Sequence, residues 1–338
     1  MNDDWITGAP RTLLGFLPTP LTPLDRLSAM LDGPRIWLKR DDCTGLATGG
    51  NKTRKLEYLM ADALREGADV VVTFGAVQSN HARQTAAACA AVGLPCHLLL
   101  VRKVHWQNPA YDVAGNLLLD RLLGAVVELV EPVVFPAARA VLLEGLEAAG
   151  RLPYLIPVGG SNAVGAMGYA RCALELMEQS RTSGFALTDV MHASSSAGTQ
   201  AGLLAGFAGL AADDGCPVPR VHGINVSEPD PDTLPNEVAR LAAEVVEQRG
   251  LPVSVAAGAV LVDDRYLGAG YGIPTPATAD AIRLLARSEG VLMDPVYSGK
   301  ALSALVDRVR RGEFTGVDDL VFIHTGGTAT LGVYHDAF

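Results

Sequence analysis

Between Asp69 and Ile156, short apolar runs alternate with longer runs whose apolar residues recur every three or four positions. Asp69–Phe74, Cys96–Val101, Ala125–Val130 and Tyr154–Ile156 read as strands, the first of them buried, whereas Asn80–Val92, Ala114–Leu123 and Ala137–Ala149 carry helical spacing. Upstream, Pro18, Pro20 and Pro23 make a turn-rich approach to a candidate strand at Ile36–Lys39. The run TRKLEYLMADALREG then predicts a helix that stops at Gly67. The second half repeats the alternation, with helices over 163–178, Gln200–Leu210, Asn236–Arg249 and Ala279–Glu289. Its strands fall at Asp189–Ala193, Val221–Val226 and Asp319–Thr325. Strands buried on both faces read as continuous apolar runs, so the pattern predicts an α/β protein with open, mostly parallel twisted sheets. No tandem repeat or low-complexity linker divides the chain. Two α/β lobes sharing a cleft are expected, with a smaller lobe over 61–164 inserted into a larger one built from 1–60 and 165–338.

Composition narrows the class. Hydrophobic residues make up 49% and charged residues 19%, enough to build a substantial core. A formal charge of -10 argues against nucleic acid as a partner, while leaving room for a local anion site. Cys43, Cys89, Cys96, Cys172 and Cys216 are scattered, with no spacing for zinc or disulfide exchange, so no metal is expected and a reduced, cytoplasmic setting fits. The start MNDDWITGAP is acidic where a secretory leader is basic, and the apolar stretches are too interrupted to span a membrane.

Three polar motifs then stand out. GGNKTRK (49–55) puts Lys52 at a loop–helix junction, where a lowered pKa makes a lysine an imine-forming amine. Lys55 lies one turn further and can face the same cleft toward an anion. GAVQSNHARQ (75–84) follows a strand, and active groups of open parallel sheets gather at strand carboxyl ends, which singles out Ser79, Asn80 and His81. Ser79 equally reads as a helix cap, and His81 as a structural histidine. ASSSAGTQAG (193–202) follows another strand and opens a helix, so its backbone N–H groups form a phosphate cradle. It is neither a dinucleotide fingerprint nor a P-loop, which disfavours a nicotinamide dehydrogenase.

These segments, with IPVGGSNAVGAMGY (156–169), GYGIPTP (270–276), DPVYSGK (294–300) and FIHTGG (322–327), resemble the D-cysteine desulfhydrase and 1-aminocyclopropane-1-carboxylate deaminase family. That family is a tryptophan-synthase-β-like branch of the fold type II pyridoxal-phosphate enzymes. The resemblance implies pyridoxal 5'-phosphate as cofactor, a small amino-acid substrate and a homodimer. It implies Lys52 as the Schiff-base lysine and Asn80 beside the cofactor's phenolic oxygen. It places Lys55 and the backbone of Ala197, Gly198 and Thr199 at the phosphate, and Ser79, Asn80, His81, Tyr271 and Tyr297 around the substrate. Ser79, Tyr271 and Tyr297 are candidates, with Lys52, for moving protons.

One departure bears on the chemistry. The deaminase branch carries glutamate where Ser298 stands and leucine where Thr325 stands. Hydroxyls bond the pyridine nitrogen without the charge of a carboxylate, which points to carbon–sulfur β-elimination instead of ring opening. Two leaving groups remain: sulfite from L-cysteate or sulfide from D-cysteine. The form of CTGLATGGNKTRK, and Arg102, Lys103 and His105 in VRKVHW as donors to a second anion, put L-cysteate first. D-cysteine desulfhydration, ring-opening deamination and noncatalytic metabolite binding follow as alternatives.

Overall fold

The computed structural model describes residues 3–338. Its strands are β1 (Leu21–Pro23), β2 (Arg35–Arg40), β3 (Val70–Ala76), β4 (Cys96–Val101), β5 (Val126–Val130), β6 (Pro153–Ile156), β7 (Asp189–Ser194), β8 (Arg220–Asn225), β9 (Leu261–Asp263) and β10 (Asp319–His324). The helices are α1 (Asp4–Thr7), α2 (Asp25–Leu31), α3 (Lys52–Arg65), α4 (Asn80–Val92), α5 (Asn116–Leu122), α6 (Phe135–Ala148), α7 (Ala163–Thr182), α8 (Gly198–Asp214), α9 (Thr233–Gln248), α10 (Pro276–Glu289) and α11 (Ser298–Arg310).

The strands form a six-stranded sheet in the order β1-β2-β10-β7-β8-β9 and a four-stranded sheet in the order β5-β4-β3-β6. Every pairing is parallel except β1 with β2. The chain enters the smaller sheet at Val70, leaves it at Ile156 and returns to the larger one. β3 is buried along its whole length, as the unbroken apolar run VVVTFGA requires of a strand covered on both faces. Among the described residues no helix is long and apolar enough to cross a membrane.

Three helices, the four-residue α1 and also α2 and α11, and two short strands have no counterpart in the sequence pattern. α11 is buried around most of its surface, Lys300 and Arg308 included, so its burial does not follow the polarity of its residues. α2 is a seven-residue helix, and β1 and β9 have three residues each, too short for an alternation to register. α10 begins at Pro276, earlier than its apolar pattern, because the Thr275 hydroxyl accepts from Thr278 N and Pro suits the first turn.

Glycines set how closely the helices behind the cleft approach. A Cβ at Gly202 of α8 would lie 2.2 Å from Ala166 O of α7, and one at Gly168 of α7 would lie 2.4 Å from Arg54 O of α3. Backbone-to-backbone contact of this kind excludes any side chain. It draws α3, α7 and α8 together so that the N-termini of α3 and α8 open on one cleft.

Candidate active site

Lys52 is the first residue of α3. The loop before it is tied on three sides. Gly50 N donates to Asp41 O at 3.0 Å, Asn51 N to Thr325 O at 3.0 Å, and Asn51 Nδ2 to Thr199 Oγ1 at 3.3 Å. The Lys52 loop is thereby joined to the end of β10 and to the start of α8. Gly50 has φ +130, a conformation closed to other residues, and a Cβ at Gly326 would come 2.7 Å from its Cα. The helix end is capped from the other lobe, where Gln84 Oε1 accepts from Thr53 N at 2.9 Å. Burial pulls the Lys52 amine down to about 8.

Lys55 points toward the start of α8. Its Nζ donates to Gly159 O at 3.0 Å and to Ser161 Oγ at 3.1 Å, and a Cβ at Gly198 would lie 2.9 Å from that Nζ. Ala197, with φ +63, turns the chain into α8. Burial, and then the neighbouring Lys52, hold the Lys55 amine well below the usual lysine range. Neither lysine has a carboxylate in salt-bridge range among the described residues. A lysine amine, a hydroxyl and the start of α8 therefore converge on a small glycine-lined space where no carboxylate among the described residues supplies negative charge. A phosphate ester supplies that charge, so the donors fit pyridoxal phosphate.

The other side of the cleft carries the polar start of α4. Ser79 caps it, its Oγ accepting from Ala82 N at 3.1 Å, which leaves the hydroxyl proton free to donate. Gly75 makes room for it, since a Cβ there would lie 2.7 Å from Ser79 Oγ. Asn80 is buried, its Oδ1 accepting from Asn116 Nδ2 at 2.8 Å. His81 bonds Thr73 Oγ1 at 2.8 Å through Nε2, and burial, with both lysines nearby, holds it neutral. Its placement is that of a packed histidine with one ring nitrogen anchored to β3.

Tyr271 and Tyr297 meet hydroxyl to hydroxyl at 2.5 Å, and burial pushes Tyr271 up to about 12. Ser298 Oγ lies 3.0 Å from Thr325 Oγ1 and donates to Gly326 O at 3.1 Å, with Ser298 fully buried. The structure thus gathers Lys52, Lys55, Ala197, Gly198, Thr199, Ser298 and Thr325 through contacts among four segments. Tyr271 joins them through Tyr297, the residue before Ser298.

VRKVHW takes a different course. Val104 turns inward, so close to the loop after Tyr271 that a Cβ at Gly272 would lie 2.5 Å from it. Lys103 and His105 on either side therefore face outward and are exposed. Arg102 pairs with Asp112 at 2.6 Å and with Glu131 at 3.6 Å.

Asp294, Arg83 and Asn116 were not singled out from the sequence. Asp294 is fully buried and accepts from Val296 N, Tyr297 N and Ser298 N at 2.9, 2.7 and 2.8 Å. It thereby shapes the turn that presents Tyr297 and Ser298. Its place in DPVYSGK, three residues before Tyr297, is the spacing of an Asx cap and was the available signal.

Comparison with known proteins gives the family. The pyridoxal-phosphate dependent enzyme family matches residues 12–326. A D-cysteine desulfhydrase of Serratia proteamaculans is 47% identical over 327 residues, covering 96% of each chain. A 1-aminocyclopropane-1-carboxylate deaminase of Burkholderia vietnamiensis is 43% identical over 335 residues, covering 97% of each. A solved structure of an ACC deaminase homologue superposes with a TM-score of 0.86 at 36% identity, covering 99% of this chain and 97% of that one. The chain belongs to the pyridoxal-phosphate-dependent enzymes, within the group of D-cysteine desulfhydrases and 1-aminocyclopropane-1-carboxylate deaminases, and pyridoxal phosphate is its cofactor.

Proposed function

We propose that the protein is a carbon–sulfur lyase acting on D-cysteine, which with water gives sulfide, pyruvate and ammonia. The observation that carries the reaction type is the buried Ser298–Thr325 hydroxyl pair, 3.0 Å apart, where the deaminase pattern has glutamate and leucine. When bound, pyridoxal phosphate supplies an electron sink for negative charge at the substrate Cα. An uncharged hydroxyl partner suffices when a good leaving group departs from Cβ.

Lys52 links the cofactor and then takes the Cα proton, a task suited to an amine that titrates at about 8. Lys55, Ser161 and the backbone of Ala197, Gly198 and Thr199 hold the phosphate. Ser79 has a hydroxyl proton free for the substrate carboxylate. Tyr271 stays protonated at neutral pH, so the tyrosine pair donates a hydrogen bond or a proton to the departing sulfur. His81 orders the start of α4 from behind.

D-cysteine is placed ahead of L-cysteate because a sulfonate needs a second cation in the cleft. Arg102 is committed to Asp112 and Glu131, and Lys103 and His105 face solvent. The relatives named D-cysteine desulfhydrase support the same order. L-cysteate remains the second reading, favoured by the form of CTGLATGGNKTRK.

Parallel assays with purified holoenzyme decide between them. Sulfide from D-cysteine, with little sulfite from L-cysteate, is the expected result. Sulfite in excess would transfer the assignment to L-cysteate. Ring opening of 1-aminocyclopropane-1-carboxylate without turnover of either sulfur compound would restore the deaminase. Retained cofactor with no turnover of all three would favour a binding protein.

A further inference from the structure

Asn80 has an amide whose two ends differ in what they offer a ligand, and the surrounding hydrogen bonds determine which end faces the cleft. The chain of contacts starts at Arg83, fully buried on α4. Its Nη2 donates to Gly49 O at 2.7 Å, in the loop before Lys52, and its Nη1 donates to Asn116 Oδ1 at 3.0 Å. Arginine has only donors, so the oxygen of the Asn116 amide must face it.

That leaves Asn116 Nδ2 on the opposite side, where it donates to Gln78 O at 2.9 Å and to Asn80 Oδ1 at 2.8 Å. A turned-over Asn116 amide would set its N–H against the Arg83 guanidinium and its oxygen against Gln78 O. Its backbone N is held by Gln78 Oε1 at 2.9 Å, and Gln78 Nε2 is itself spent on Tyr111 O and Ala114 O. With Asn80 Oδ1 engaged, Asn80 Nδ2 is directed away from Asn116. A Cβ at Gly327 would lie 2.8 Å from it, which places it at the turn after Thr325 that borders the cleft.

We propose that Arg83 and Asn116 are positioning residues that fix the hydrogen-bond polarity of Asn80, so that its amide offers N–H and not C=O to the ring oxygen of the cofactor. The proposal rests on the placement of Asn80 beside that oxygen. Each member is buried, so no water substitutes cheaply for a lost partner. The direction of the whole chain follows from the one residue that cannot accept.

The test is a pH titration of the absorbance of the bound cofactor in purified holoenzyme. A donor stabilises the ring oxyanion, so Asn80→Ala moves the midpoint upward by about one pH unit. Asn116→Asp moves it upward at least as far, because a carboxylate only accepts, and Asn80 then turns its carbonyl toward the ring. In the Asn80→Ala background Asn116→Asp adds nothing. Arg83→Met shifts the midpoint in the same direction and Arg83→Lys, still a pure donor, restores most of it. This pair carries the test if Asn116→Asp does not fold. Movement in Asn80→Ala alone would overturn the relay and leave the placement of Asn80 standing. An unmoved midpoint in Asn80→Ala would overturn that placement, and the relay with it.

Discussion

Helix α3 carries basic residues on two of its faces, and their surroundings are opposite. Lys52 and Lys55 share the face toward the cleft, where both lack a carboxylate partner. Arg54 sits about 200° around the helix from Lys52 and enters a saturated ionic network. It donates to both oxygens of Asp41 at 2.9 and 2.8 Å and to both oxygens of Glu175 at 2.9 and 2.8 Å. Lys39 Nζ completes Glu175 at 2.9 Å, and Tyr169 donates to Asp41 at 2.6 Å. In that network two cations face two carboxylates. A buried charge with every partner supplied is scaffold. Two lysines without one, set side by side at the start of α3 and facing the start of α8, mark where a ligand brings the missing anion.

The largest effect expected from breaking the contrast is at Lys52. Lys52→Ala abolishes the lysine-linked cofactor absorbance and lowers turnover by ~10³-fold or more. The fold is retained, because the substitution removes an amine that pairs with no carboxylate among the described residues. Unchanged absorbance in that variant would place the linkage elsewhere.

On the opposite face the effect is on stability. Glu175→Gln leaves Arg54 and Lys39 short of a counter-charge and costs about 3–5 kcal/mol in denaturant unfolding. Burial opposes ionisation of Glu175, yet Arg54 and Lys39 outweigh it and bring it down from 4.5 to about 2. A folded-state value below the unfolded one gives stability that is present above the unfolded value. It is lost as the pH falls from about 4.5 to about 2. Unfolding midpoints measured at falling pH should therefore drop across that window, and Glu175→Gln should flatten the drop.

The same contrast shows what was readable from the chain. Parallel strands announce themselves as apolar runs, and Cys96–Val101 was read to the residue. Lys52 and Lys55 were separable from ordinary basic residues because a glycine turn precedes them and a spacing of three shares a face. Arg54 was not, since nothing local distinguishes it. Its acids lie 13 and 121 residues away. Asn116 escaped for the same reason, as it meets Asn80 across 36 residues and looks like any helix start. Periodicity reports which side of an element is covered, whereas a network of this kind depends on tertiary neighbours.

A smaller effect is expected at Lys55. Lys55→Met removes one charged donor from the cradle and weakens pyridoxal phosphate binding by about 10–100-fold, while turnover of saturated enzyme changes less. Unfolding of the cofactor-free protein is not destabilised as it is by Glu175→Gln, because no carboxylate loses a partner. Equal destabilisation by the two substitutions would break the contrast between the faces.

The smallest effect separates cap from chemistry at Ser79, which belongs to both kinds of region. As the cap of α4 its oxygen accepts from Ala82 N, and as a cleft residue it retains a proton to donate. Ser79→Ala removes both and costs about 1 kcal/mol of stability, whereas Ser79→Gly, a tolerated cap, costs only a few tenths. Neither carries a hydroxyl. If the hydroxyl serves the substrate, both variants lose turnover to the same extent despite their different stabilities, as paired unfolding and kinetic measurements will show. Should turnover instead recover in Ser79→Gly, Ser79 is scaffold, and the substrate carboxylate is held by other donors of the cleft.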